Sequence, residues 1–117
     1  MKKKTICFDL DNVICKSSKK YEKARPILSS INLINELYDK GFIIKILTAR
    51  YMGRYNDNIK LVHKLKYKKT FDQLKKWGVK FHKLFLTKPS FDLLIDDKAF
   101  NYNLSWKRYV KSKLLKR

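Results

Sequence analysis

Glycine and proline are scarce in this chain, with three Gly and two Pro among 117 residues. With aliphatic and aromatic residues plentiful, that composition argues against disorder. Cysteine is nearly absent too. Cys7 and Cys15 flank one short acidic stretch, lack CxxC spacing and have no adjacent His. That argues against a metal site or thiol catalysis and for two reduced, partly buried thiols. No apolar run is long enough to span a membrane. Met1-Lys2-Lys3-Lys4 resembles the charged start of a signal peptide, but the apolar run behind it is cut at Asp9. The expectation is a cytoplasmic protein with one domain over 1–117 and a single core.

Acidic residues are also few: ten Asp and Glu face 29 Lys and Arg, for a net charge of +19. Such a field attracts phosphorylated ligands, and nucleic acid is one partner it fits. Arg, however, supplies only five of the 29 cations, and Arg is the residue of bidentate phosphate and base contacts. Lys, Asn, Ile, Tyr and Phe, the residues of A/T-rich codons, are abundant. Compositional drift is therefore the simpler source of the charge.

What is present is organised around Thr5–Val13, Thr-Ile-Cys-Phe-Asp-Leu-Asp-Asn-Val. The apolar, β-branched run predicts a buried strand. It ends in two carboxylates, Asp9 and Asp11, which are costly there unless paired. In an open α/β sheet ligands bind at the C-terminal ends of strands, and a divalent cation, usually Mg²⁺, is a natural partner for converging carboxylates.

Residues 14–25 read as a basic loop or short flap. Pro26 is expected to open a helix whose face is Ile27, Leu28, Ile31, Ile34, Leu37 and Tyr38, with Gly41 as its stop. Phe42–Leu47 predicts a second buried strand, ending in Thr48-Ala49-Arg50. Strand, helix and strand with short connections make a βαβ unit and a parallel sheet. After a polar loop, Ile59, Leu61, Val62 and Leu65 predict a short helix to about Lys66. Thr70-Phe71-Asp72-Gln73 has the form of a capping box opening another helix that stops at Gly78. The run 79–86 contains a third strand, ending in Thr87-Lys88-Pro89. Asp92–Ile95 predicts a fourth, ending in Asp96-Asp97. His63 and His82 are isolated and read as packing or surface residues. The basic tail, with Trp106, Tyr109, Val110, Leu114 and Leu115, predicts a helix docked on the sheet.

Asp, Thr, Lys and Asp-Asp thus recur at four successive strand ends. In order and spacing they resemble the four motifs of the haloacid dehalogenase superfamily of phosphotransferases. Asp9-Leu10-Asp11-Asn12-Val13 resembles the first motif, Thr48 the second, Lys88 the third and Asp96-Asp97 the fourth. Asn12 and Ile95 stand where many members have Gly. The resemblance implies an α/β, Rossmann-like parallel sheet with helices on both faces and, because core helices fill both gaps where cap domains are inserted, no cap.

It also implies a phosphomonoester hydrolase. Asp9 would attack phosphorus and carry the phosphoryl group, while Asp11 would move protons. Thr48 and Lys88 would neutralise the phosphoryl oxygens. Mg²⁺ would be held by Asp9, the backbone carbonyl of Asp11, and Asp96, with Asp97 orienting Lys88 or water. Asn12, Arg50, Tyr51 and Arg54 are candidate substrate contacts. Small capless relatives with a similar Thr-Ala-Arg segment point to a sugar or polyol phosphate of surface-polysaccharide (capsule or lipopolysaccharide) biosynthesis, with a homo-oligomer closing the open site. The alternatives are a phosphatase of nucleic-acid 3′ ends and a basic, non-catalytic nucleic-acid-binding member of the fold.

Overall fold

A computed structural model describes residues 4–115; Met1–Lys3 of the basic start and Lys116 and Arg117 of the tail lie outside the described residues. The first strand, β1 (Thr5–Asp9), is followed by two short strands, β2 (Cys15–Lys16) and β3 (Arg25–Pro26), which pair antiparallel with each other. They form the expected flap. Helix α1 (Leu28–Asp39) leads to β4 (Ile43–Leu47), and α2 (Ile59–Lys76) leads to β5 (Lys83–Phe85). Strands β1, β4 and β5 make one parallel sheet in that order, with Asp9 in register with Leu47 and Leu47 with Phe85. The three strand ends meet at one edge, as the βαβ pattern predicts. The last helix, α3 (Trp106–Val110), continues into a wider turn over Lys111–Leu115.

The sheet steps in one direction, so right-handed crossovers place α1 and α2 on the same face. Phe8, Ile44, Ile46 and Leu84 are buried in the core with Ile31, Leu33, Ile34 and Leu37 of α1. Thr5, Cys7 and Lys83 are exposed. A helical layer on each face is the sequence expectation; the two long helices cover one. Trp106 meets Phe8 edge-on at 6.1 Å, and Lys107 Nζ donates to Ser29 Oγ of α1 at 2.7 Å. The tail therefore docks beside β1 through Trp106, with Leu115 also buried, whereas Tyr109 of the expected face is exposed.

Both long helices end in the same way. Gly41 and Gly78 take φ of +97° and +78°. Phe42 N–H donates to Leu37 O and Val79 N–H to Leu74 O, each at 3.1 Å, the bond that closes a Schellman cap.

Three expectations are corrected. Pro26 belongs to β3, and α1 starts at Leu28, because Ile27 N–H donates to Ile14 O at 2.8 Å and keeps the chain extended through the flap. Residues 59–76 are one helix, with Thr70 buried inside it. No Gly or Pro interrupts the lysine-rich middle, and Lys68 and Asp72 pair at i,i+4. Residues 92–95 form no strand, and Phe91, Leu93, Leu94 and Ile95 are exposed. A parallel strand needs a crossover of roughly a dozen residues, and only six, 86–91, follow β5.

Candidate active site

The strand ends gather three of the predicted groups. Asp9 closes β1, and its Oδ1 accepts the backbone N–H of Leu10 at 2.8 Å. Its Oδ2 lies 3.2 Å from Lys88 Nζ, an ion pair in which the Asp9 side chain keeps 40% of its surface and Lys88 18%. Lys88 arrives by way of β4, since its N–H donates to Thr48 O at 3.3 Å, while Thr48 N–H donates to Phe85 O at 2.9 Å. The Thr48 side chain is buried, and its Oγ1 accepts the Arg50 N–H at 3.0 Å. An accessible carboxylate, a cation and a hydroxyl whose proton is free to donate thus sit on one sheet edge.

Asp11 faces a different partner. Arg50 Nη2 donates to Asp11 Oδ1 at 2.9 Å and Arg50 Nε to Asp11 Oδ2 at 3.0 Å, a two-pronged pair. Nη1 donates to Gln73 Oε1 at 2.6 Å, and Gln73 Nε2 in turn donates to the Tyr21 carbonyl at 2.9 Å. The guanidinium also lies 4.9 Å from the centre of the Tyr21 ring. Burial opposes its charge, but Asp11 more than offsets this and holds the Arg50 pKa above the ordinary value. Arg50, a candidate substrate contact in the sequence, is only 2% exposed and acts as an internal anchor. Gln73, read as part of a capping box, fixes that anchor. A buried Arg leaves no signal in sequence, and its partners Asp11, Tyr21 and Gln73 come from three separate stretches of the chain.

Asn12 turns the chain just beyond β1 with φ +69°. Its N–H donates to Cys15 O at 2.7 Å and its Oδ1 accepts Ser17 N–H at 3.3 Å. Asn tolerates this left-handed conformation, which Gly adopts freely, so the side chain serves the turn. Tyr51 is buried, also at positive φ (+68°), and packs edge-on against Tyr21 at 4.8 Å. Arg54 is exposed, 5.3 Å from the Tyr51 ring centre. A cleft of about 330 Å³ is lined by Arg50, Tyr51, Glu22, Lys69, Gln73 and Lys76, among others, but not by Asp9, Thr48 or Lys88. It backs the Arg50 anchor.

Cys15 is buried against Leu10 O and Asp11, and burial followed by the Asp11 charge pushes its thiol up to about 12. It is no nucleophile at neutral pH. Cys7 is exposed, with its thiol pKa raised by partial desolvation. His82 Nδ1 accepts Ile44 N–H at 3.0 Å and its ring stacks on Tyr38; His63 stacks on Tyr67. Both lie at the surface, each stacked on a neighbouring ring.

The donor set expected for Mg²⁺ does not fit one chain. Among the described residues no three His, Cys, Asp or Glu side chains gather where they could hold a metal ion. Asp9 is paired with Lys88, and Asp96 and Asp97, the other expected acidic groups, lie in the exposed stretch after β5. Among the described residues, Asp96 Oδ1 accepts the nearby Lys98 N–H at 2.8 Å. Among the described residues no helix is long and apolar enough to cross a membrane.

No family model and no curated protein matches the sequence. The fold is similar to the crystal structure of a structural-genomics target from Vibrio cholerae, with a TM-score of 0.77 and 26% identity over 94% of this chain and 98% of that one. The likeness spans both chains almost end to end, so the parallel α/β arrangement is shared over their whole lengths.

Proposed function

We propose that this protein is a phosphomonoester hydrolase of the haloacid dehalogenase type, with Asp9 as the nucleophile. The observation that carries the reading is the ion pair of an accessible Asp9 with Lys88 at a sheet edge that Thr48 also reaches. A carboxylate attacks a phosphate dianion only where charge is cancelled first. Lys88 supplies that cancellation, and the Thr48 hydroxyl would donate to a phosphoryl oxygen.

In the first step an Asp9 oxygen forms a bond to phosphorus as the ester P–O bond breaks, and the leaving oxygen takes a proton. In the second, water attacks phosphorus, the aspartyl P–O bond breaks, and phosphate leaves. Asp11 is the proton carrier. Its Oδ2 accepts one N–H from Arg50, and its second lone pair remains for the proton. Arg50 sets the angle of that carboxylate. A divalent cation of the kind the motifs imply would lower the charge barrier further.

The substrate class we favour is a small sugar or polyol phosphate, used in surface-polysaccharide biosynthesis and reached through an uncapped edge. The net charge of +19 favours a second reading, a phosphatase of nucleic-acid 3′ ends. A panel of sugar phosphates, polyol phosphates, nucleotides and 3′-phosphorylated oligonucleotides, assayed with Mg²⁺, separates them. Asp9→Asn should lower turnover of an aryl phosphate by at least about 1,000-fold, and Lys88→Met by about 100-fold or more. A wild-type protein inactive on the whole panel would sink the proposal.

A further inference from the structure

The exposed stretch after β5 is the strangest feature of the surface. Leu93, Ile95 and Leu104 keep 78%, 89% and 96% of their surface, and Phe91, Leu94, Phe100 and Tyr102 are exposed with them. A monomer rarely leaves so many adjacent apolar side chains in water. The same stretch is acidic. Asp92, Asp96 and Asp97 are three of only ten acidic residues in a chain of charge +19.

The sheet has a matching gap. β1 pairs with β4 on one side, and its other edge carries no strand among the described residues. Ile43 N–H donates to Lys4 O at 2.9 Å; alternation then turns the backbone groups of Thr5, Cys7 and Asp9 toward the open edge. An edge with no paired strand accepts another strand.

The chain cannot fill this gap with its own residues 92–95 in the parallel direction. Lys88 is tied to the C-terminal edge through Thr48 and Asp9, and Ser90 N–H donates to Asp57 Oδ1 at 3.2 Å in the loop beyond β4. A parallel strand placing Asp96 level with Asp9 would have to begin at the opposite edge, roughly 13 Å below. Only Phe91 separates Ser90 from Asp92, too few residues for that descent and the sideways step.

A second copy can fill it. A two-fold axis that sets the two β1 strands antiparallel makes a descending segment of one copy run parallel to the partner's β1. We propose that residues 91–97 are exchanged between two copies, so that each donates a strand to the open edge of the other's β1. The exchange brings Asp96 and Asp97 of one copy beside Asp9 and Lys88 of the other. The contact is closed and self-complementary. It buries Leu93 and Ile95, which levelling Asp96 with Asp9 places opposite Ile6 and Phe8, and sets an acidic segment on a basic body. It also explains why one chain assembles only part of the acidic site. The shared site rests on the phosphatase reading; the exchange itself does not.

The test uses the full chain. The mass in solution is expected to be twice the 14.1 kDa of one chain. The register that levels Asp96 with Asp9 sets position 94 opposite Cys7, so Leu94→Cys should form a reducible covalent dimer that Cys7→Ser abolishes. Co-expressed Asp9→Asn and Asp96→Asn copies, isolated as the mixed dimer through two different tags, should recover half the wild-type rate on an aryl phosphate, because one of the two sites keeps both carboxylates. A monomeric mass, or a dimer without the Cys7-dependent crosslink, overturns the exchange. A crosslinked dimer lacking any wild-type turnover upholds the exchange and removes the phosphatase reading instead. Active wild type with an inactive mixed dimer overturns the sharing of the site.

Discussion

At Asn12 the backbone takes φ +69°, and the side chain answers the turn by accepting Ser17 N–H. A β-branched residue there meets the full left-handed penalty. Asn12→Val should cost about 1–2 kcal/mol in urea unfolding, whereas Asn12→Gly should stay within about 0.5 kcal/mol of wild type. Arg50 presents the opposite case, a charge whose place depends on its partners. Arg50→Leu leaves Asp11 and Gln73 without their partner and should lower stability by about 3 kcal/mol, with a loss of turnover that Arg50→Lys only partly restores. Cys15 makes a pH signature. Its folded pKa of about 12 lies above the unfolded value near 9, so the folded thiol retains its proton where the unfolded one loses it. Its contribution is whole below pH 9 and is lost as pH rises from 9 toward 12. A Cys15→Ala variant should therefore lose less stability than wild type between pH 9 and 11, measured by denaturant titration.

Among the elements, β1, α1, β4 and the docked tail helix are legible in the sequence because each has one simple pattern. Apolar runs bounded by turn residues read as strands, and apolar residues at helical spacing stopped by glycine read as helices. Helix α2 misleads because its middle is polar and a Thr-x-x-Gln spacing inside it imitates a cap. The true cap is Asn58, whose Oδ1 accepts Leu61 N–H at 3.1 Å. Asn58→Ala should cost about 1 kcal/mol, while Thr70 lies buried within the helix and caps nothing. The run at 92–95 has the composition of a strand but no partner within reach. Local pattern says what a segment can become; the length of its connections decides where.

For the whole molecule, the sequence puts Asp9, Thr48 and Lys88 at one edge, and parallel pairing places them there. The Arg50 anchor was not legible, since its contacts join residues 11, 21, 50 and 73, which no local spacing links. The high charge rests mostly on Lys, with Arg supplying five of the 29 cations. If it guides a polyanion, binding of single-stranded DNA should weaken steeply with salt; weak binding that is flat with salt would leave drift as the explanation.

The most direct measurement is a rapid-quench reaction of an aryl phosphate with Asp11→Asn, the variant in which breakdown of the covalent intermediate should be slowest. Peptide mass analysis should find one added phosphoryl group on the peptide containing Asp9, absent when Asp9→Asn is introduced. Turnover that proceeds with no phosphoryl group on that peptide, or with one attached elsewhere, would contradict Asp9 as the nucleophile.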